Sequence, residues 1–150
     1  MRMQEVTAAM LTPQIERLEH IKNTHVENWN LLHSHIDGHA NIEIPMPLPQ
    51  VDSFCDTMQF HLVGLSREKA DQFIDVMKME GIPMQIFGAK RNARDYRQWE
   101  YVEAHKEELG ETIANIEFAC DLSLQPHLTL ENMRTIARVL HEVLAYINAQ

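Results

Sequence analysis

The sequence predicts an α+β fold, with a long N-terminal helix followed by a small sheet packed with helices. Apolar residues recur at helical spacing near both ends of the chain. Between them lie short alternating runs bounded by Gly, Pro and Ser, the pattern of brief strands. Strands that alternate with helices in a chain of 150 residues fit one domain over 1–150, its sheet covered mainly on one face. Within it, 1–37 is the helical segment and 50–150 an α/β sandwich.

The opening helix is marked by Ile15, Leu18, Ile21, Val26, Trp29 and Leu32. Pro13 interrupts it: either Thr12 caps a helix whose first residue is Pro13, or the proline kinks one continuous helix. Gly38 ends the helical stretch, and the three prolines of Ile44–Pro49 make an extended linker. From Phe54 to Val63, Met58, Phe60 and Leu62 alternate with Gln59 and His61 as a strand does. Ser66 is placed to cap the next helix, whose inner face carries Ala70, Phe73, Ile74 and Met77 and which Gly81 closes. Ile82–Phe87 is a second strand, and residues 91–108 are a charged stretch with a short helix or two around Tyr96 and Trp99. Ile113–Leu124 begins as helix and ends as strand. Met133, Ile136, Ala137, Leu140, Val143, Leu144 and Ile147 then define the last helix, with Thr129 as N-cap.

Acidic residues outnumber basic ones by 22 to 13, and the formal charge is −9. Such a surface repels nucleic-acid phosphates and anionic membranes, so neither is expected as a partner. No apolar run is long enough for a membrane span and the N-terminus lacks a signal-peptide core, so the expected compartment is the cytoplasm. Cys55 and Cys120 lack the spacing of a zinc site or disulfide framework and are read as reduced structural thiols. His35 and His39 stand four apart, beside His33, but Gly38 interrupts their helix and no further ligand completes a set, so no metal is expected. No Gly-rich phosphate loop or nucleophile elbow is present. Met3, Met10, Met58, Met77 and Met133 read as core or interface filler.

Three stretches carry a resemblance. Arg2-Met3-Gln4-Glu5 is followed by Ala8-Ala9, Gln14, Arg17 and Leu18; Glu80-Gly81-Ile82-Pro83 forms a turn; Leu122-Ser123-Leu124-Gln125-Pro126-His127-Leu128-Thr129 precedes the last helix. In this order and spacing they resemble the C-terminal small domain of the DegT/DnrJ/StrS sugar-aminotransferase family, pyridoxal-phosphate enzymes of fold type I. Members are more than twice as long, and their cofactor-binding lysine lies upstream of the stretch where this chain begins. None of Lys22, Lys69, Lys78, Lys90 and Lys106 falls in that lysine motif. The resemblance therefore implies a truncated domain without catalytic residues of its own. It needs no cofactor alone, and pyridoxal phosphate belongs to the full-length enzymes.

Arg2 matches the family's arginine near the cofactor; the plain alternative is a frayed terminal residue. Lys90-Arg91-Asn92-Ala93-Arg94-Asp95-Tyr96-Arg97-Gln98-Trp99 corresponds to a segment near the substrate entrance of relatives, and Asn92, Arg94 and Trp99 are its candidate substrate contacts. Guanidinium groups pair bidentately with phosphate, so a sugar nucleotide is the ligand such a segment suits. The alternative is a solvated run whose cations pair with Glu100, Glu103, Glu107 and Glu108. Many relatives carry a His-Tyr pair after the Gly-Ile turn, where this chain has Gln85-Ile86-Phe87-Gly88, a departure at the usual substrate contacts.

Three functions follow. The chain is an interaction or dimerising unit, catalytically incompetent alone; or part of a split or longer aminotransferase; or a small-anion binding module. The expected partner is a second copy, making a homodimer, or the missing aminotransferase half.

Overall fold

The structure is a computed structural model, described here for residues 5–46, 48–89, 92–101 and 109–150. Two helices open the chain, α1 (Glu5–Glu16) and α2 (Leu18–Ile36). Then come β1 (Ile42–Glu43), β2 (Thr57–Leu62), α3 (Arg67–Met79), β3 (Met84–Ile86), a 3-10 turn at Tyr96–Gln98, α4 (Gly110–Ile116), β4 (Ala119–Ser123) and α5 (Leu130–Asn148). This is the expected α+β fold, with one additional strand, β1, between the helix end at Gly38 and the linker that begins at Ile44.

Pro13 lies within α1, and the helical run breaks four residues later, at Arg17. Thr12 does not cap anything: its hydroxyl donates to the Ala8 carbonyl, a back-bond within the helix. At Arg17 the ladder tightens: its N–H donates to the Gln14 carbonyl, three residues back, and it offers no side-chain cap to the helix that follows; the N–H missing at Pro13 is the one that would have reached Ala9, inside α1.

The strands form one sheet in the order β1-β2-β4-β3, every neighbouring pair antiparallel. Register places Met58 opposite Leu122 and Phe60 opposite Cys120, while Met84 and Ile86 flank the same two residues from β3. Cross-strand partners share a face, so these apolar side chains all point to one side. There they meet Leu32 and Ile36 of α2, Phe73 and Met77 of α3, and seven residues of α5 from Met133 to Ile147. Each fully buried Leu, Phe or Met contributes about 1.5–3 kcal/mol, which makes this seam the source of the fold's stability.

The helix ends are chemically closed where sequence expects it. The Ser66 side chain accepts from the Lys69 N–H, and Thr129 forms a reciprocal capping box with Asn132. Gly81 takes a left-handed φ of 81° past the end of α3, which a residue with Cβ rarely adopts. The opposite face of the sheet carries Gln59, Asp121 and Gln85 in a row across β2, β4 and β3, and the chain after β3 folds onto it.

Candidate functional site

Immediately after β3 the chain is pinned by Asn92. Its amide donates to the Ile86 carbonyl at 2.8 Å, and its Oδ1 accepts from the Arg94 N–H at 3.0 Å. That side-chain turn fixes where Arg94 starts. The Arg94 guanidinium sits 5.1 Å from the centre of the Phe87 ring and donates to Asp121 Oδ2 on the central strand. Trp99 closes the same corner: its indole N–H donates to the Ala93 carbonyl at 2.7 Å, and its ring stacks on Tyr101. The structure thus brings Asn92, Arg94 and Trp99 together at one corner of the open sheet face. Arg2, Lys90 and Arg91 lie outside the described residues.

The second described arginine of the segment has a different task. Arg97 forks onto Asp95 through Nε and Nη2, at 2.8–3.1 Å, and reaches Glu117 at 3.5 Å. Asp95 is almost fully buried. Burial alone pushes its carboxyl up, but hydrogen bonds from the Arg97 side chain and backbone, the Arg97 charge and Gln98 outweigh that and leave it below the usual value. The Asp95 hydrogen bond correspondingly raises Arg97. Arg67 of α3 joins in, donating to the Glu117 carbonyl at 3.0 Å and to Asp71 at 3.1 Å. These groups line an open cleft of about 660 Å³. Every charge there has a partner, so the cleft reads as a buckle that fastens the segment to α3 and to the turn before β4. Gly88 belongs to the buckle: a Cβ there would meet Glu117 Cα and the Ile116 carbonyl at 3.0 Å.

Asp121 is the site residue that sequence reading passes over. It is 5% exposed, with one oxygen held by Arg94 and the other, Oδ1, without a hydrogen bond among the described residues. The available signal was one acid inside the apolar run Ala119–Leu124.

The histidines do not converge. His33 stacks on Trp29, His35 turns back to the Leu31 carbonyl, and His39 meets His141 edge-on at 4.9 Å. Among the described residues, no cluster of three or more His, Cys, Asp or Glu is arranged to hold a metal ion. Cys120 is buried, and loss of solvation raises its thiol pKa, so it is inert packing. No helix among the described residues is long and apolar enough to cross a membrane.

Against known proteins, the sequence matches the model of the DegT/DnrJ/EryC1/StrS aminotransferase family over residues 1–141, and the chain belongs to that family. Its members depend on pyridoxal phosphate. No curated protein matches the sequence. Among solved structures, the PMP form of a Streptococcus pneumoniae protein described as a sugar aminotransferase superimposes with a TM-score of 0.83 at 15% identity. That match covers 99% of this chain and 37% of the other. A 3-amino-5-hydroxybenzoic acid synthase matches at 0.77 with 20% identity, over 97% of this chain and 40% of that one. The Helicobacter pylori aminotransferase PseC, of pseudoaminic acid biosynthesis, matches at 0.75 with 14% identity, over 95% and 38%. The chain therefore spans well under half the length of the structures it matches.

The described residues do not make a seat for pyridoxal phosphate. Lys22 is tied to Asp52 at the surface, Lys69 lies on α3, and Lys78 borders only an open groove beside β3, not the enclosed pocket that a covalently held cofactor needs.

Proposed function

We propose that this chain acts as the C-terminal small domain of a pyridoxal-phosphate-dependent sugar aminotransferase, does not transaminate by itself, and works by docking. Its complement is the cofactor-bearing half, on the same or another polypeptide. The observation that carries this reading is α1. Its 12 residues include no buried side chain, and Val6, Met10 and Ile15 are each about 70% exposed. A helix this apolar and this uncovered is an interface in waiting. The family's chemistry needs a covalent lysine and a phosphate cradle, which this reading assigns to the docked half. Asn92, Arg94 and Trp99 form the wall this domain offers to substrate, with Arg94 facing its anionic group. Arg2 is assigned to the cofactor by its match to the family's arginine alone. A second copy pairing through α1 gives the simplest closed assembly. Both cysteines are free thiols, which suits the cytoplasm.

The test is turnover. Purified chain with pyridoxal phosphate, glutamate and a keto-sugar nucleotide should release no 2-oxoglutarate; adding a large domain of the family should restore the reaction. Steady turnover by the chain alone, with no other polypeptide, would sink the reading. Light scattering at micromolar concentration checks self-pairing: a dimer is expected, and a monomer leaves the cofactor half as the partner of α1.

A further inference from the structure

The outer edge of β2 is paired over only part of its length. The Leu62 N–H donates to the Phe118 carbonyl and the Leu124 N–H to that of Asp56, so the even-numbered residues of β2 bond to β4. The backbone groups of the odd-numbered residues face the other way. There His61 stands opposite Glu43 of β1, and Val63 donates to the Asn41 carbonyl. Beyond Glu43 the pairing stops. Counting on by twos, the residues due opposite Gln59 and Thr57 are Pro45 and Pro47, and proline has no N–H to give. Among the described residues, nothing bonds to the outward N–H and C=O of Gln59 and Thr57.

A groove of about 450 Å³ opens at this edge. Its lining joins the apolar Val26 and Trp29 of α2, Pro45 and Val51 to Thr57 and Gln59. Unpaired strand backbone beside apolar walls is what an extended peptide binds by adding itself as a strand. Charge then selects among such peptides. Asp52 lines the groove, and Glu43 and Asp56 are exposed beyond the two ends of the open edge. Against these three carboxylates stands Lys22, already bonded to Asp52 Oδ2. The formal charge of −9 reinforces the local sign.

We propose that the open edge of β2 docks an extended, basic segment of another protein, pairing antiparallel with Thr57 and Gln59. Two residues of the segment each exchange two hydrogen bonds with β2. Their side chains lie on the side of Gln59 and are basic, to suit the carboxylates. The residue between them points to the side of Met58, where α2 packs, and is apolar to suit Val26 and Trp29. A second copy offers only a β2 edge recessed in the same groove, so the occupant is a loop or tail of a different chain. The site uses no residue of α1 or of 92–99, and stands or falls apart from the docking of α1.

The experiment is amide NMR of the whole chain titrated with the peptide acetyl-Ser-Lys-Val-Lys-Ser-amide. Its controls are the same peptide N-methylated at both lysines, and a version with Glu in place of Lys. The lysine peptide should shift the amides of Thr57 and Gln59. It should also slow alkylation of Cys55, which lines the groove, and leave the buried Cys120 as it was. Each N-methyl group should weaken binding about two- to tenfold, the worth of one backbone hydrogen bond. Gln59→Pro removes an N–H that β4 does not use and should cost the same factor in a chain whose circular dichroism is unchanged. Asp52→Asn should cost about two- to fivefold, and added salt should erase that difference. Equal affinity for the N-methylated or the glutamate peptide, or unmoved Thr57 and Gln59 amides at millimolar peptide, would overturn the proposal. Shifts of those two amides with protein concentration alone would give the edge to a second copy and overturn it too.

Discussion

The helices at the two ends of the chain, α1 and α5, are built from similar residue types and end in opposite situations. α5 buries Met133, Ile136, Ala137, Leu140, Val143, Leu144 and Ile147 against the sheet; α1 buries nothing. The difference is in arrangement. On α5 the apolar positions fall on one stripe, leaving Arg134, Arg138 and Glu142 outside, where they pair along the helix. On α1, Val6, Ala8, Ala9, Met10, Leu11 and Ile15 are spread around the helix, with Pro13 among them. Ala, Met and Leu favour helix wherever they sit, but only a stripe can be buried on one neighbour. α1 is thus a helix by propensity, and α5 a helix by packing.

The sharpest way to break that comparison is to cut a side chain from each. Leu140→Ala, at a position with no exposure, should cost about 2–5 kcal/mol in chemical denaturation. Met10→Ala should stay within about 0.5 kcal/mol, yet weaken association read by light scattering. Equal stability losses would mean that α1 is packed in solution after all.

A second substitution asks whether the packed region includes the buckle. Gly88→Ala drives a methyl into the Glu117 backbone and should destabilise by about 1–3 kcal/mol; a neutral melt would show that the seam can yield.

The helix starts differ as well. α5 begins with a full capping box, whereas α2, which follows α1, starts at Arg17 with no side-chain cap. Thr129→Ala should therefore cost about 1 kcal/mol, while Arg17→Ala should leave the melting temperature in place.

The smallest effect is expected from acid. His39 Nδ1 accepts from the Asn41 N–H at 3.1 Å, and burial, then the charge of His141, lowers its pKa below 6.5. A folded value below the unfolded one means that the unfolded chain takes up the proton first. The contribution is thus complete above about pH 6.5 and is lost as pH falls through the lowered value. His39→Gln should flatten that part of a stability–pH profile; an unchanged profile would assign the slope to other groups. Asp95 acts lower still, holding its contribution above 3.8 and losing it as pH falls through its depressed pKa.

Much of this was legible in the sequence, for local reasons. Ser66 and Thr129 lie just before apolar stripes, and both cap. Met58, Phe60 and Leu62 alternate, and their strand forms. β4 was ambiguous because four of its five residues are buried, so no alternation shows. That burial is not local: the segment after β3 covers one face of it. β1 escaped notice because two residues carry no pattern at all.

The candidate site divides in the same way. Asn92, Arg94 and Trp99 stood out as cations, amide and aromatic crowded into one segment. Sequence paired the cations with Glu100, Glu103, Glu107 and Glu108, whereas Arg97 meets Asp95 and Glu117 and Arg94 meets Asp121; Glu103, Glu107 and Glu108 lie outside the described residues. Asp121 is 27 positions from Arg94, and no spacing rule links them.

Composition, periodicity and caps by themselves determined that this chain is an α+β domain with α5 at its heart, because helix and strand are written in residues a few positions apart. Sheet order, the partners of each arginine and the burial of Asp121 were decided only by tertiary structure. They depend on which distant segments meet, and that is set by packing every apolar face at once.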